Sequence, residues 1–209
     1  MTGIVDYGVG NLFSLQHSLL AIGQPSRVTS DPDELRRADR VILPGVGAFG
    51  DAMQKLCASG LDAVVRELAA VGRPLLGVCL GMQLLFDKSY EYGDHAGLGL
   101  IHGEVIPMEG TIAPELKIPQ MGWNALRFAP GRETCPLLSG IRDGDYVYFV
   151  HSYYAAECGP AVAAYTDYGV PMPAVVWQDN VMGCQFHPEK SGQTGLAILK
   201  AFCGEGALA

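Results

Sequence analysis

Basic residues are scarce in this sequence. Lysine and arginine number 14 against 22 aspartates and glutamates, which leaves a formal net charge of -8 on 209 residues. Because so acidic a surface repels polyanions, the composition argues against a nucleic-acid partner and against an anionic membrane. Charged residues amount to 17% and hydrophobic residues to 49% of the chain, a balance that excludes intrinsic disorder. The length suits a single domain covering residues 1–209.

Signals for export and membrane insertion are also missing. The N-terminal residues contain no basic segment, and an acid already stands at Asp6, so no signal peptide is expected. The uncharged run 74–86 is shorter than the ~20 residues of a membrane-spanning helix. It is also interrupted by Gly77, Gly81 and Gln83. We therefore expect a soluble, cytoplasmic protein.

The cysteines do not form close pairs. Six lie far apart, and no Cys-x-x-Cys sequence occurs, which disfavours both disulfides and a structural zinc site. No metal is expected. Cys79 is set apart by its sequence context. The other five are interpreted as small buried hydrophobic residues, namely Cys57, Cys135, Cys158, Cys184 and Cys203.

Nucleotide-binding motifs are incomplete or missing. Residues 7–11 (YGVGN) follow a predicted strand, but Phe13 stands where a dinucleotide-binding motif has its third glycine. Its side chain would obstruct close packing of helix on strand. No Gly-Lys pair occurs, so there is no P-loop. No cofactor is expected.

The order of hydrophobic patterns predicts an α/β fold. In the first half, short apolar strands alternate with helical patterns, which is typical of a parallel sheet covered on both faces. From residue 98 onward, strands joined by short turns predominate. We predict a three-layer sandwich with a central mostly parallel sheet and additional antiparallel strands in the C-terminal half. The predicted strands are 3–6, 40–44, 74–78, 104–106, 123–128, 146–153, 161–166, 174–178 and 181–186; the predicted helices are 11–22, one capped by Asp31, 51–58, 61–71, 80–88 and 192–203.

The strongest local signal is the pentapeptide 77–81 (GVCLG) at a predicted strand-to-helix junction. Such a turn holds a nucleophile in a strained backbone conformation, and the flanking glycines remove Cβ atoms that would clash. The Cys79 thiol would stand at a helix N-terminus, where the dipole favours the thiolate. The N–H of Leu80 would face a bound carbonyl oxygen. The alternative is a buried cysteine in a glycine-rich turn.

A base for this nucleophile is offered by residues 186–189 (FHPE) at the end of another predicted strand. In an extended chain, residues i and i+2 project to the same side. Glu189 would then hold the imidazole of His187 towards Cys79. A surface histidine beside an acid explains the tetrapeptide equally well.

Three further segments have two interpretations each. The glycine-rich turn 44–50 (PGVGAFG) lets backbone N–H groups approach a ligand and complete an oxyanion hole, or is a plain tight turn. In the strand pattern 146–154, His151 lies on the face opposite Tyr148 and is either a second base or a core histidine. Met121 and Trp123 suit a partner interface if exposed and are ordinary core if buried.

Together, these segments resemble the class I (triad) glutamine amidotransferases. The elbow 77–83 (GVCLGMQ) and the base motif 187–189 (HPE) carry the resemblance. Residues 6–11 (DYGVGN), 44–50 and 119–124 (PQMGWN) narrow it to the glutaminase subunits of imidazole glycerol phosphate synthases in the histidine pathway. The resemblance spans nearly the whole chain. Glutaminases of the pyridoxal phosphate pathway are similar in size but would have GGES at the position of GVGA.

The resemblance implies a reaction and a role for each residue. Cys79 would attack the side-chain amide of glutamine, His187 would carry a proton to the departing ammonia, and Glu189 would orient His187. Water would then release glutamate from a γ-glutamyl thioester, and ammonia would pass into a (β/α)8-barrel cyclase subunit, the partner in a heterodimer. The implied oxyanion donors are Leu80 and Gly47, the glutamine-binding residues are Gly45, Gln83, Ser152 and Tyr153, and the partner-facing residues are Asn11, Met121, Trp123, Tyr148 and Lys190.

Two other functions are compatible with the sequence. A different Cys–His hydrolase or peptidase would act on another amide. A non-catalytic binding module would keep the fold beside a barrel enzyme, but that function would require a broken triad, and positions 79, 187 and 189 are intact. The terminal segment 204–209 matches no family pattern and is expected to be disordered.

Overall fold

The computed structural model describes residues 1–204, in which a large mixed sheet lies between two layers of helices. Residues 205–209, where disorder was expected, lie outside the described residues. The helices are α1 (Leu12–Ala21), α2 (Pro32–Arg37), α3 (Phe49–Ala58), α4 (Leu61–Ala70), α5 (Leu80–Leu84) and α6 (Gly192–Phe202). The strands are β1 (Thr2–Val5), β2 (Ser26–Thr29), β3 (Arg40–Leu43), β4 (Leu75–Val78), β5 (Lys88–Ser89), β6 (His95–Ala96), β7 (Glu104–Pro107), β8 (Gln120–Phe128), β9 (Tyr146–His151), β10 (Tyr153–Ala156), β11 (Val162–Asp167), β12 (Pro171–Gln178) and β13 (Val181–Cys184).

Nine of these strands form the central sheet, in the order β2-β1-β3-β4-β13-β12-β11-β8-β9. Neighbours are parallel from β2 to β13 and antiparallel from β13 to β9. This arrangement confirms the predicted α/β fold with parallel strands first and antiparallel strands in the C-terminal half. A separate four-stranded sheet, β10-β7-β5-β6, was not predicted, because two of its strands have only two residues and carry no readable pattern.

The two faces of the sheet hold two hydrophobic cores. On β3, Ile42 packs in the core that contains Leu15 of α1 and Ile198 of α6. Its neighbours Val41 and Leu43 pack in the other core, with α2, α3 and α4. Because successive side chains of a strand point to opposite faces, a strand covered on both sides is apolar throughout. The three-layer sandwich follows from this burial.

The helix predicted for 80–88 is wrong at its C-terminal end, since α5 stops at Leu84. Its last carbonyl groups are taken by the following loop: the N–H of Leu98 donates to Leu84 O at 2.8 Å, and that of Leu100 donates to Leu85 O at 2.8 Å. Lys88 already belongs to β5. Likewise, the single strand predicted for 146–153 is two strands, interrupted at Ser152.

The cysteines follow the prediction with one exception. All six are free, and five of them, including Cys79, are buried. Cys57 is exposed, so its interpretation as a buried residue is wrong. The buried positions of α3 are Phe49, Ala52, Met53 and Leu56, and Cys57 lies at the edge of that stripe in the last turn. Within residues 1–204, no helix is long and apolar enough to cross a membrane.

Candidate active site

The strand-to-helix elbow expected at Cys79 is present. Cys79 joins β4 to α5 with φ 54° and ψ -111°, a backbone conformation that is strained for a residue with a Cβ. Its N–H donates to Cys184 O on the adjacent β13 at 2.8 Å. The turn also requires its glycines: a Cβ on Gly77 would lie 2.6 Å from Gly81 O, and one on Gly81 would lie 1.9 Å from Leu43 O. Close packing of α5 on the strand ends therefore fixes the position of the thiol.

His187 and Glu189 form a buried pair behind this turn. His187 Nδ1 lies 2.9 Å from Glu189 Oε1, and both side chains are almost fully buried. Asn11 Nδ2 donates to the same carboxylate oxygen at 3.3 Å. The pairing confirms the expected contact, but its geometric explanation was wrong. β13 ends at Cys184, and residues Pro188–Lys190 form a 3-10 turn, which folds the carboxylate back onto the imidazole.

The tertiary fold brings Cys79 and His187 together. Both line one cavity of about 310 Å³, where the sulfur and the imidazole are close enough to interact electrostatically. Burial alone would lower the pKa of His187. The hydrogen bonds and opposite charges of Cys79 and Glu189 outweigh it and raise this pKa from 6.5 to about 10. The imidazolium is thus the favoured form beside the sulfur, which is the arrangement of an activated Cys–His nucleophile.

Five of the residues expected to bind the substrate or its oxyanion line the same cavity. They are Gly47, Leu80, Gln83, Ser152 and Tyr153. As the first residue of α5, Leu80 has no intrahelical acceptor for its N–H, which leaves that donor free to bind a ligand. Gly47 has φ 95°, a value that glycine adopts without strain.

Gly45 has a different position. It lies behind the cavity in a small pocket with Asn11, His187 and Glu189. A Cβ there would stand 2.7 Å from the Gly81 N atom, so a glycine is needed to let the turn pack on the start of α5. Its predicted contact with glutamine stays a prediction.

The residues expected to face a partner lie beside the cavity. Met121 and Trp123, two positions apart on β8, are 63% and 53% exposed. The Trp123 ring meets the edge of Tyr148 with centroids 6.1 Å apart, and Lys190 Nζ lies 5.9 Å from the Tyr148 ring centroid. Lys190 also lines the cavity, while Asn11 reaches the triad through Glu189. We call Met121, Trp123, Tyr148 and Lys190 the tryptophan surface.

Two residues of the site were missed in the sequence. Glu91, in the loop after β5, lines the cavity. Its Oε2 accepts the N–H of Phe49 at 2.6 Å, and burial raises its pKa despite that bond. Gln185 is completely buried, and its Nε2 lies 3.8 Å from Cys79 Sγ. No sequence motif distinguishes Glu91. Gln185 could have been recognised from the sequence, because it is a glutamine near the end of an otherwise apolar predicted strand.

His151 is a buried histidine on the cavity wall. Its Nδ1 donates to Tyr153 O at 2.8 Å, and its ring packs beside Phe149 with centroids 5.7 Å apart. Burial lowers its pKa to about 4, helped by the nearby charge of His187. His151 is therefore neutral, with the proton on Nδ1. A group this weakly basic suits a packing position better than a second base.

Sequence comparison identifies close relatives. The family model for class-I glutamine amidotransferases matches residues 3–205. The imidazole glycerol phosphate synthase subunit HisH of Wolinella succinogenes is 52% identical over 205 residues, which cover 97% of this chain and 98% of that protein. The protein of the same name from Lactococcus lactis is 51% identical over 203 residues, covering 97% of each chain.

Solved structures share the fold at much lower identity. A glutamine amidotransferase crystal structure aligns with a TM-score of 0.74 and 18% identity, covering 99% of both chains. PurLQS from Thermotoga maritima aligns with a TM-score of 0.73 and 19% identity, covering 97% of both chains. These likenesses concern the fold alone.

Proposed function

The chain belongs to the class-I glutamine amidotransferase family, and we propose that it is the glutaminase subunit of an imidazole glycerol phosphate synthase in histidine biosynthesis. Relatives with that name match it at about 50% identity over nearly their whole length. The observation that carries the chemistry is the meeting of Cys79 and His187 at one cavity, with Glu189 hydrogen-bonded to His187 behind it. This constellation is that of acyl transfer through a thioester.

The first step is attack by the Cys79 sulfur on the side-chain carbonyl carbon of glutamine. The imidazolium of His187 stabilises the thiolate before attack. It then gives its proton to the amide nitrogen as the C–N bond breaks, so that nitrogen leaves as neutral ammonia. Glu189 accepts from Nδ1, which keeps the other ring nitrogen towards the sulfur.

The second step hydrolyses the γ-glutamyl thioester. Neutral His187 takes a proton from water, the hydroxide adds to the acyl carbon, and the Cys79 thiolate leaves as glutamate forms. In both steps, negative charge develops on the former carbonyl oxygen. The backbone N–H groups of Leu80 and Gly47 would receive this charge, and one such donor typically contributes about 3 kcal/mol to transition-state stabilisation.

Glutamine carries an α-ammonium and an α-carboxylate, and the cavity wall offers a partner for the ammonium. The Glu91 carboxylate is held in place by the Phe49 N–H and is partly desolvated, so a bound cation would satisfy it. The backbone at Ser152 and Tyr153 and the side chain of Gln83 would hold the rest of the substrate. This arrangement would fix the amide over Cys79.

The partner would be a (β/α)8-barrel cyclase subunit, which would receive ammonia and join it to a phosphorylated acceptor. The tryptophan surface supports this docking site, because an exposed tryptophan that packs on a half-buried tyrosine beside a lysine is a typical anchor of an interface. Lys190 belongs both to this surface and to the cavity wall. Docking there would cover this side of the cavity, so that ammonia released at Cys79 could pass to the partner.

Coupling to the partner would prevent waste of glutamine. Free ammonia is protonated in water near neutral pH and is then no nucleophile. The Gly47 N–H would face the oxyanion only after rotation of the Val46–Gly47 peptide, which glycine permits at little cost. Partner and acceptor binding would drive this rotation and raise turnover by orders of magnitude. Glutaminase rates measured alone, with partner, and with partner plus acceptor test this; equal rates would exclude gating.

The central test replaces Cys79 by alanine. We expect Cys79→Ala to abolish glutamine-dependent synthesis by the reconstituted complex while ammonia-dependent synthesis by the partner continues. Cys57→Ser, at an exposed cysteine, is the matched control and should keep both activities. Hydrolysis of glutamine but not of peptides separates this function from another Cys–His hydrolase. Retention of glutaminase activity in Cys79→Ala would exclude the proposed chemistry.

A further inference from the structure

A chain of buried amides connects the substrate-binding wall to the nucleophile. Gln83 Nε2 donates to Tyr153 O at 2.9 Å and to Gln185 Oε1 at 3.0 Å. Gln185 Nε2 in turn lies 3.8 Å from Cys79 Sγ. Gln185 is completely buried and Gln83 is 4% exposed. Buried amides need partners for their polar atoms, so the side chains of Gln83 and Gln185 have defined orientations.

One group fixes the direction of every hydrogen bond between these amides, because it cannot exchange its donor and acceptor roles. The backbone carbonyl of Tyr153 can only accept, so the Gln83 amide must present its NH2 group there. The second hydrogen of that NH2 group faces Gln185, which must therefore present its oxygen. The NH2 group of Gln185 is then directed at Cys79 Sγ. Reversing either amide would place two acceptors or two donors against each other.

We propose that Gln185 is a further catalytic residue of this glutaminase, which donates an N–H to the Cys79 sulfur and fixes the Gln83 amide with its oxygen towards the substrate. The proposal rests on the proposed role of Cys79. Both hydrogens of the Gln83 NH2 group are already used, so only its Oε1 remains to bind glutamine. An acceptor there suits a hydrogen-bond donor of the bound substrate.

Three other groups near the sulfur, a phenol, a backbone carbonyl and a second thiol, do not supply this donor. Tyr7, whose phenol interacts with Cys79, donates its proton to Pro44 O at 2.7 Å. Val150 O lies 3.9 Å from Sγ and only accepts, so it favours the thiol. Cys184 is completely buried, which raises its own pKa and keeps it neutral. Among these groups, only the His187 imidazolium and the Gln185 amide stabilise a negative sulfur.

The test measures alkylation of Cys79 by iodoacetamide as a function of pH, with the modified peptide followed by mass spectrometry. Gln185→Met keeps the volume but removes donor and acceptor. Loss of a hydrogen bond to a charged group changes the corresponding equilibrium constant by about 10- to 100-fold. We therefore expect the midpoint of Cys79 alkylation to rise by about one pH unit or more, and kcat of the complex to fall by about 10- to 100-fold. Gln120→Met, at another completely buried glutamine bonded to Asn124, is the control and should leave the midpoint unchanged.

A second variant separates the two roles of the amide. Gln185→Glu keeps an oxygen for the Gln83 NH2 group but places another acceptor against the sulfur. We expect the KM for glutamine to stay close to that of the unmodified protein while kcat falls and the midpoint rises. Gln185→Met should raise KM as well. The Gln83 amide could then flip, and its oxygen would no longer be held towards the substrate. A general loss of packing would not produce this division between KM and kcat.

The proposal is overturned if the Gln185 variants show the midpoint and kcat of the Gln120→Met control. Should Gln185→Met not fold, Gln185→Glu alone decides by the same criterion. Failure of the proposed function gives a different result. Cys79→Ala would then retain glutaminase activity, whereas the alkylation midpoint would still report whether Gln185 acts on the sulfur.

Discussion

His187 and Glu189 are joined by a hydrogen bond of 2.9 Å between Nδ1 and Oε1, although the two residues are only two positions apart. Because the carboxylate can only accept, Nδ1 carries the proton, which leaves the other ring nitrogen available to Cys79. The pKa of His187, raised to about 10, depends on this pair and on the sulfur. The contact with Glu189 thus orients the base and contributes to its charge.

Replacement of Glu189 by glutamine should disable the base without disrupting the fold. The amide can keep a hydrogen bond to Nδ1 but loses the negative charge, so the pKa of His187 should fall. We expect kcat to drop by about 100-fold or more and the imidazole titration, followed by NMR, to move to lower pH. Glu115→Gln, at an exposed site, should change neither quantity. Unchanged titration in Glu189→Gln would contradict the assigned cause of the raised pKa.

The same pair predicts the alkaline dependence of stability. The pKa of His187 in the folded state, about 10, lies above its ordinary value of 6.5. Its contribution to the free energy of unfolding is therefore complete below pH 6.5 and is lost as the pH rises through about 10. In Cys79→Ala, one of the two groups that raise this pKa is gone, so the loss should begin at lower pH. Urea unfolding between pH 6 and pH 10 measures the difference, and parallel curves would refute it.

His151 should make the protein sensitive to acid. Burial lowers its pKa from 6.5 to about 4, so the unfolded state binds a proton more readily between these values, and stability falls as the pH falls through this window. His151→Gln can still donate to Tyr153 O but does not titrate. Between pH 7 and pH 4, we expect the unmodified protein to lose about 2–4 kcal/mol more of its unfolding free energy than His151→Gln loses. His17→Gln, at an exposed histidine, is the control, and equal shifts in the two variants would contradict the assigned cause.

A methyl group at Gly81 should destabilise the elbow strongly. The added Cβ would lie 1.9 Å from Leu43 O, so α5 would have to move away from β3. We expect Gly81→Ala to lower the free energy of unfolding by about 3 kcal/mol or more. Gly159→Ala, where the added atom meets nothing within 4 Å, should be nearly neutral. Thermal unfolding of the two variants compares them directly, and equal stability would contradict the packing argument.

The tryptophan surface should carry the affinity for the proposed cyclase partner. Trp123 is 53% exposed and packs on Tyr148, so docking would bury a large aromatic side chain. We expect Trp123→Ala to weaken binding by about 2 kcal/mol or more, with the basal glutaminase rate of the isolated subunit retained. Val71→Ala, also exposed, serves as the control. Calorimetric titration with the cyclase measures both; equal affinities would remove Trp123 from the interface.

Local sequence patterns predicted much of this molecule, and their failures have a common origin. Glycines 77 and 81 predicted the elbow, because only residues without a Cβ permit α5 to pack so closely on the ends of β4 and β3. The end of α5 was predicted too late, because its last carbonyl groups are bound by a loop that starts at Gly97. A pattern read over neighbouring residues contains no information about such a partner.

What the sequence alone determined is the chemistry available: a cysteine at a strained junction, a histidine followed two residues later by a carboxylate, and strands apolar enough to be covered on both sides. Tertiary structure decided which of these groups meet. The parallel pairing of β4 with β13 places Val78 opposite Cys184, so the chain segments that follow both strands emerge at the same edge of the sheet. This places Gln185 and His187 beside Cys79, because adjacent parallel strands end side by side however far apart they lie in the chain.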